Sequence, residues 1–148
     1  MSKFPVYLYR IYSRLHRLHI PFFPNLLMVL NRIIWGVYLP PSVSIGQNFS
    51  LSYGGSGVVI HANAVIGSNV VIGPGVTIGG RSRYVEVPVI GDNVYIGGGA
   101  KILGPIHIGD DVIIGVNSIV LENIKSNTIH VADTARFLKN IESIKEFI

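Results

Sequence analysis

From Ile60 onward an aliphatic residue returns at every sixth position, at Ile66, Ile72, Ile78, Ile90, Ile96, Ile102, Ile108, Ile114 and Val120. A period of six matches neither the 3.6 of an amphipathic helix nor the 2 of a half-buried strand, so it marks an internal structural repeat. A second slot, four residues into each hexad, is also small or aliphatic: Ala64, Val70, Val76, Val94, Ala100, Ile106, Val112, Ser118 and Ile124. Two inward slots per hexad stack into a dry core. Each hexad then supplies one short flat strand of a triangular prism, three hexads close one turn, and every turn buries its aliphatic residues against its neighbours.

A glycine usually follows the aliphatic residue, as at Gly67, Gly73, Gly79, Gly91, Gly97, Gly109 and Gly115. Tight corners between flat strands are one reason for glycine there, since it lacks a Cβ; close approach of a ligand to the backbone is another. Extending the register backwards reaches Ile45-Gly46, with three residues too many before Ile60. The glycine-rich stretch Leu51 to Gly57 is expected to bulge out and absorb them. Between Ile78 and Ile90 the phase survives, but Arg81-Ser82-Arg83-Tyr84-Val85-Glu86 carries charge where a packed hexad would not, which predicts an exposed hexad or a loop that keeps register.

The chain has 148 residues and fits one functional domain. Without cysteine there is no disulfide framework, thiolate nucleophile or cysteine metal site, which is compatible with a cytoplasmic setting. The formal charge is +4, and no Asp or Glu precedes Glu86, whereas that half holds Lys3, Arg10, Arg14, Arg17, Arg32, Arg81 and Arg83. Such asymmetry favours an anionic partner, either a phosphate-bearing cofactor or an anionic membrane surface. No nucleic-acid motif accompanies it.

Residues 1–40 read as two short helices separated by Pro21 and Pro24. In the first, Phe4, Leu8, Ile11, Leu15 and Leu18 form one stripe and Lys3, Arg10, Arg14 and Arg17 another. The apolar stripe either packs on the prism end or a neighbouring subunit, or lies on the inner face of a membrane. The second helix, Asn25 to Trp35, is too short to span a bilayer, and neither a transmembrane segment nor a cleavable signal is expected. At the far end, Phe137, Ile141, Ile144 and Ile148 have helical spacing and predict a terminal helix over residues 132–148 that covers the last coil. The expected fold is a left-handed parallel β-helix of about five coils over residues 41–131, with a helical segment before it and a helix after it.

From Gly36 to Arg136 the chain resembles the hexapeptide-repeat acyltransferases, and within them the serine acetyltransferases, through VTIGGRSR and VPVIGDNVYIGGGAKILGPIHIGDDVIIGVNSIV. The YGGSGVVIH stretch and the two-helix preface are similar to those of short bacterial polysaccharide and capsule O-acetyltransferases. The resemblance implies a homotrimer with active sites between neighbouring prisms, acetyl-coenzyme A as co-substrate, a histidine general base and no metal. The coenzyme's arm would run along backbone at Gly79, Gly80, Gly98, Gly99, Ala100, Lys101 and Gly115 to Ser118, with Arg136 near its nucleotide end. The aspartate and histidine of the serine acetyltransferase dyad are absent, Tyr38 standing for the first and Tyr53 or Gly54 for the second. The family's acceptor loop, DRHPKIG, reads VEVPVIG, so Glu86 replaces the arginine that would hold an amino-acid carboxylate. The expected acceptor is accordingly a hydroxyl of a cell-surface polysaccharide or its sugar precursor. Serine O-acetylation and a catalytically silent trimeric scaffold are the alternatives.

His61 is the candidate base. It fills a slot that glycine occupies in most other hexads, directly after the bulged turn, and imidazole is the side chain that ordinarily titrates near neutral pH. The bland reading is an exposed coil residue. Tyr53, Arg81, Arg83 and Glu86 are candidates on the acceptor side, the arginines for phosphates or an anionic acceptor, or simply a solvated loop. A zinc site would need three converging histidines, and His61 and His107, the two within the regular coil, lie on different phases.

Overall fold

Residues 3–132, which the computed structural model describes, begin with a helical hairpin and continue as a stack of very short strands. Helix α1 spans Phe4–Arg17 and α2 spans Phe23–Trp35, where Gly36 closes the helix in the left-handed conformation. The strands are β1 (Ser44–Ile45), β2 (Ser50–Leu51), β3 (Val59–Ile60), β4 (Val65–Ile66), β5 (Val71–Ile72), β6 (Thr77–Gly79) and β7 (Val89–Ile90). After them come β8 (Tyr95–Ile96), β9 (Lys101–Leu103), β10 (His107–Ile108), β11 (Ile113–Ile114), β12 (Ile119–Val120) and β13 (Ile129–His130). The expected terminal helix and Arg136 lie outside the described residues.

Three all-parallel sheets form the prism: face A in the order β12-β9-β6-β3, face B β1-β4-β7-β10, and face C β13-β11-β8-β5-β2. Four or five strands per face amount to between four and five turns. The register is that of the repeat: Ile60 pairs with Ile78 and Ile78 with Ile102, Ile66 with Ile90, and Ile72 with Ile96. All of these side chains point inward and are essentially fully buried, as are Ala64, Val70, Val76, Val94, Ala100 and Val112 in the second slot. The bulge falls at Ser52–Gly55, a kinked turn in which Tyr53 and Gly54 take positive φ, and residues 80–88 form a loop that contains no strand and keeps the phase.

Two expectations need correction. Ile108 pairs with Ile124 and Ile114 with His130, so the last turn is two residues short and Ile124 stands in the first inward slot, not the second. The glycines after the aliphatic residue are also there for a different reason. None of Gly46, Gly67, Gly73, Gly91, Gly97, Gly109 and Gly115 has positive φ. A Cβ at any of them would lie 2.3–2.9 Å from atoms of the next coil, so stacking distance excludes a side chain. The left-handed conformation is instead taken two residues later, by Asn48, Asn69, Asn93, Asp111 and Asn127 between faces B and C, residue types that tolerate it. Their side chains form a ladder, Asn48 to Asn69 at 3.0 Å, Asn69 to Asn93 at 2.9 Å and Asn93 to Asp111 at 3.1 Å.

Helix α1 closes the first turn, but with a different face from the expected stripe. Phe4 and Leu18 are exposed, whereas Tyr9 and Tyr12 are buried against the prism end. The first turn has no preceding coil to satisfy its carbonyls, and the helix supplies donors: Tyr12 Oη to Leu39 O at 2.6 Å, Tyr9 Oη to Val43 O at 2.7 Å, and the Arg10 guanidinium to Ile45 O and Gly46 O. Buried Asn31 of α2 ties in by donating to Pro5 O and Tyr12 Oη. A leucine face would have left these carbonyls unpaired.

Burial pushes both phenols above their ordinary value of 10.0, and that of Tyr12 furthest. The stabilisation they give is therefore fully present below pH 10 and is lost as the pH rises from there through the folded-state values. Tyr12→Phe is expected to lower stability by about 1–3 kcal/mol, since it strands a buried carbonyl. In urea melts the wild type should lose stability above the ordinary tyrosine pKa by more than Tyr12→Phe does.

Candidate functional site

Face A is flanked by two corners that differ chemically from the third. In the B–C corner each mid-position amide donates to a side chain of the next coil: Gln47 N–H to Ser68 Oγ, Ser68 N–H to Asp92 Oδ1, Asp92 N–H to Asp110 Oδ1, and Asp110 N–H to Ser126 Oγ. In the C–A corner the matching positions are Pro74, Gly98 and Val116, none with an acceptor side chain. The Gly98 and Val116 amides have no partner among the described residues. Their neighbours are used in stacking, Gly99 N–H on Pro74 O at 2.8 Å, Lys101 N–H on Ser118 O at 2.8 Å and Gly115 N–H on His130 O at 2.7 Å. Two amides in successive coils without a partner among the described residues are donors for an external acceptor.

On the opposite edge of face A, Gly79 and Gly80 are the glycines that packing does not demand. A Cβ at Gly79 would meet Leu103 Cδ2 at 3.6 Å and one at Gly80 would meet Val87 at 3.9 Å, ordinary contacts, and neither has positive φ. Across the face between the edges, Lys101 Nζ donates to Gly75 O at 2.7 Å and Thr77 Oγ1 at 3.2 Å, which fixes its ammonium beside the C–A corner. Ala100 and Ser118 turn their side chains into the core, so they can offer a ligand backbone alone.

His61 follows β3 directly, in register beside Gly79, and its ring is exposed. Its Nδ1 accepts the Asn63 N–H at 3.2 Å. In the neutral ring this bond assigns the hydrogen to Nε2, so His61 presents an N–H outward until the ring turns away from Asn63. No carboxylate orients it within the described chain: Asp92 is bonded to Ser68 N–H at 2.6 Å in another corner, and Glu86 lies exposed in the 80–88 loop. His107 points outward from face B in register with Val89, and His130 closes the last turn beside Thr128. Among the described residues no three of His, Asp and Glu converge on a metal position.

Tyr53 projects from the bulge at φ 53° and is 87 % exposed, at the C–A edge of face A. Tyr38, in the position of the family aspartate, instead bridges to Val59 and lies under the Arg32 guanidinium at 5.3 Å, so its role is to seat α2. Arg81 lines a shallow cavity of about 300 Å³ with Tyr84, Pro105, Leu121 and Glu122, while Arg83 and Glu86 face solvent. The sequence pointed to Gly98 and, within Gly115 to Ser118, to Val116, but not to the reason both matter. The signal was present as the contrast between Gln47, Ser68, Asp92, Asp110 in one corner and Pro74, Gly98, Val116 in the next.

Residues 55–83 and 88–122 match the family described as bacterial transferase hexapeptide (six repeats). A serine acetyltransferase of Synechocystis sp. is 40 % identical over 76 residues, 51 % of this chain and 30 % of that protein. Serine acetyltransferase isoform 3 of Entamoeba histolytica, solved with cysteine, superposes with a TM-score of 0.81 at 33 % identity over 94 % of this chain and 50 % of that one. A serine acetyltransferase solved with CoA gives 0.79 at 30 % identity, over 90 % and 55 %. The chain thus spans about half the length of these structures and less of the curated relative. Its all-parallel prism carries the match to bacterial transferase hexapeptide repeats and is similar in sequence and in fold to the serine acetyltransferases.

Proposed function

We propose that the chain is an acetyl-coenzyme A-dependent O-acetyltransferase whose donor lies along the C–A corner. The observation that carries this reading is the pair of amides at Gly98 and Val116 without a partner among the described residues, in a corner lined by small residues where a thin amide-bearing arm can reach backbone donors. His61 stands at the other edge of face A, so one prism holds two half-sites at different corners. A homotrimer, in which the A–B corner of one copy meets the C–A corner of the next, joins them.

In this reading the His61 ring turns from Asn63 N–H and accepts the proton of the acceptor hydroxyl. The hydroxyl oxygen attacks the thioester carbonyl, the new C–O bond forms, and a corner amide stabilises the oxyanion. The C–S bond then breaks, and the imidazolium returns its proton to the departing thiolate. Both relatives and solved neighbours bear the name serine acetyltransferase, which supports L-serine as the first acceptor to test. A sugar hydroxyl is the second reading, favoured by Glu86 in the acceptor loop and by Tyr38 being held under Arg32.

Calorimetry with coenzyme A should show binding, and acetyl-coenzyme A with L-serine or with sugar acceptors should release thiol that a colorimetric reagent reads cleanly, the protein itself having no cysteine. No binding at near-millimolar coenzyme A would remove the donor assignment. Release with sugars and not with serine would select the second reading.

A further inference from the structure

The helical hairpin is apolar where the prism does not cover it. On α2, Pro24 and Asn31 are buried, while Ile33 is 73 % exposed and Leu26 54 %, and Phe23, Leu30 and Ile34 share the uncovered side; Phe22, just before the helix, is 86 % exposed. Phe22 also holds φ 66° at the hairpin tip. An aromatic residue seldom adopts that conformation, and a ring so exposed is not held there by intramolecular packing. An apolar face of this extent marks a surface with a partner.

Charge selects the partner. Lys3, Arg14, Arg17 and Arg32 accompany the hairpin, and no Asp or Glu occurs anywhere before Glu86. Two copies facing each other would oppose two cationic, acid-free surfaces, whereas an anionic bilayer offers phosphate to the cations and an apolar boundary to the rings. No helix among the described residues is long and apolar enough to cross a membrane, so the geometry is that of a helix lying on the surface. We propose that the hairpin tip and the outward side of α2 dock into the headgroup region of an anionic bilayer. The docking side differs from the buried Tyr9 and Tyr12 face of α1, so the prism end stays closed while the hairpin is bound. A threefold axis would bring three hairpins into one plane, and their contacts would act together.

The test is flotation with vesicles of phosphatidylcholine alone and of phosphatidylcholine mixed with phosphatidylglycerol. Trp35, the single tryptophan, ends α2 with its ring stacked on Phe4 at 6.4 Å and reports binding by a blue shift. The wild type should float with the mixed vesicles. Leu26→Glu combined with Ile33→Glu should lower the bound fraction at least about tenfold, with coenzyme A affinity and circular dichroism unchanged. Arg14→Glu with Arg17→Glu should abolish the preference for the anionic lipid. Failure of the wild type to float, or equal flotation of the Leu26→Glu, Ile33→Glu variant, overturns the proposal. So does a change of mass by light scattering in that variant without loss of vesicle binding, which would assign the face to contact between copies. None of these outcomes touches the donor site, which calorimetry reads separately.

Discussion

His61→Ala is expected to lower turnover about 100- to 10,000-fold, the usual effect of losing a general base, and to leave coenzyme A affinity and assembly nearly unchanged. The exposed ring makes one hydrogen bond, to Asn63 N–H, and fills no cavity, so its removal costs the fold little. The rival base is Tyr53, which projects at the other edge of face A in the stretch where, by resemblance, Tyr53 or Gly54 stands for the histidine of the serine acetyltransferases. Steady-state rates of His61→Ala and Tyr53→Phe with the acceptor identified by thiol release decide between them. Activity retained in His61→Ala and lost in Tyr53→Phe would transfer the role to the tyrosine. Activity retained in both would leave the chain without either proposed base.

The largest effect on stability should come from Gly73→Ala. Its Cβ would lie 2.4 Å from Gly98 N and 2.7 Å from Gly98 Cα, backbone atoms of the next coil that cannot rotate aside. A cost of roughly 3 kcal/mol, the upper end for overpacking, is expected, because relief requires separating two turns of the stack. Gly79→Ala is the matched control. It adds the same methyl one strand later, where the nearest side chain is 3.6 Å away, and should change stability by less than about 0.5 kcal/mol. Urea unfolding of both variants at one protein concentration compares them under the same mass action from assembly. If Gly79→Ala preserves stability and weakens coenzyme A binding, the glycine is there for the ligand; equal losses in the two variants would show that close stacking is not what sets the glycine slot.

The prism itself was legible in the chain because its rule is local. A residue six positions on repeats the same inward direction, so Ile60, Ile66 and Ile72 declare three faces before any contact is known, and the charged stretch after Gly80 declares a loop. The short last turn was not legible, since Ile124 suits either inward slot and only pairing with Ile108 decides between them. The packed face of α1 was misread for a related reason. Leu8, Ile11 and Leu15 make the more hydrophobic stripe, but the prism end is a ring of unpaired carbonyls, and Tyr9, Tyr12 and Arg10 are the residues that can donate to it. Likewise His61 was visible as a histidine in a glycine slot, while its tautomer and the state of the Gly98 and Val116 amides depend on which group each neighbouring coil offers. Periodicity determines where a side chain points; which backbone groups are already bonded depends on the coil above and the helix below, and the tertiary structure alone supplies those.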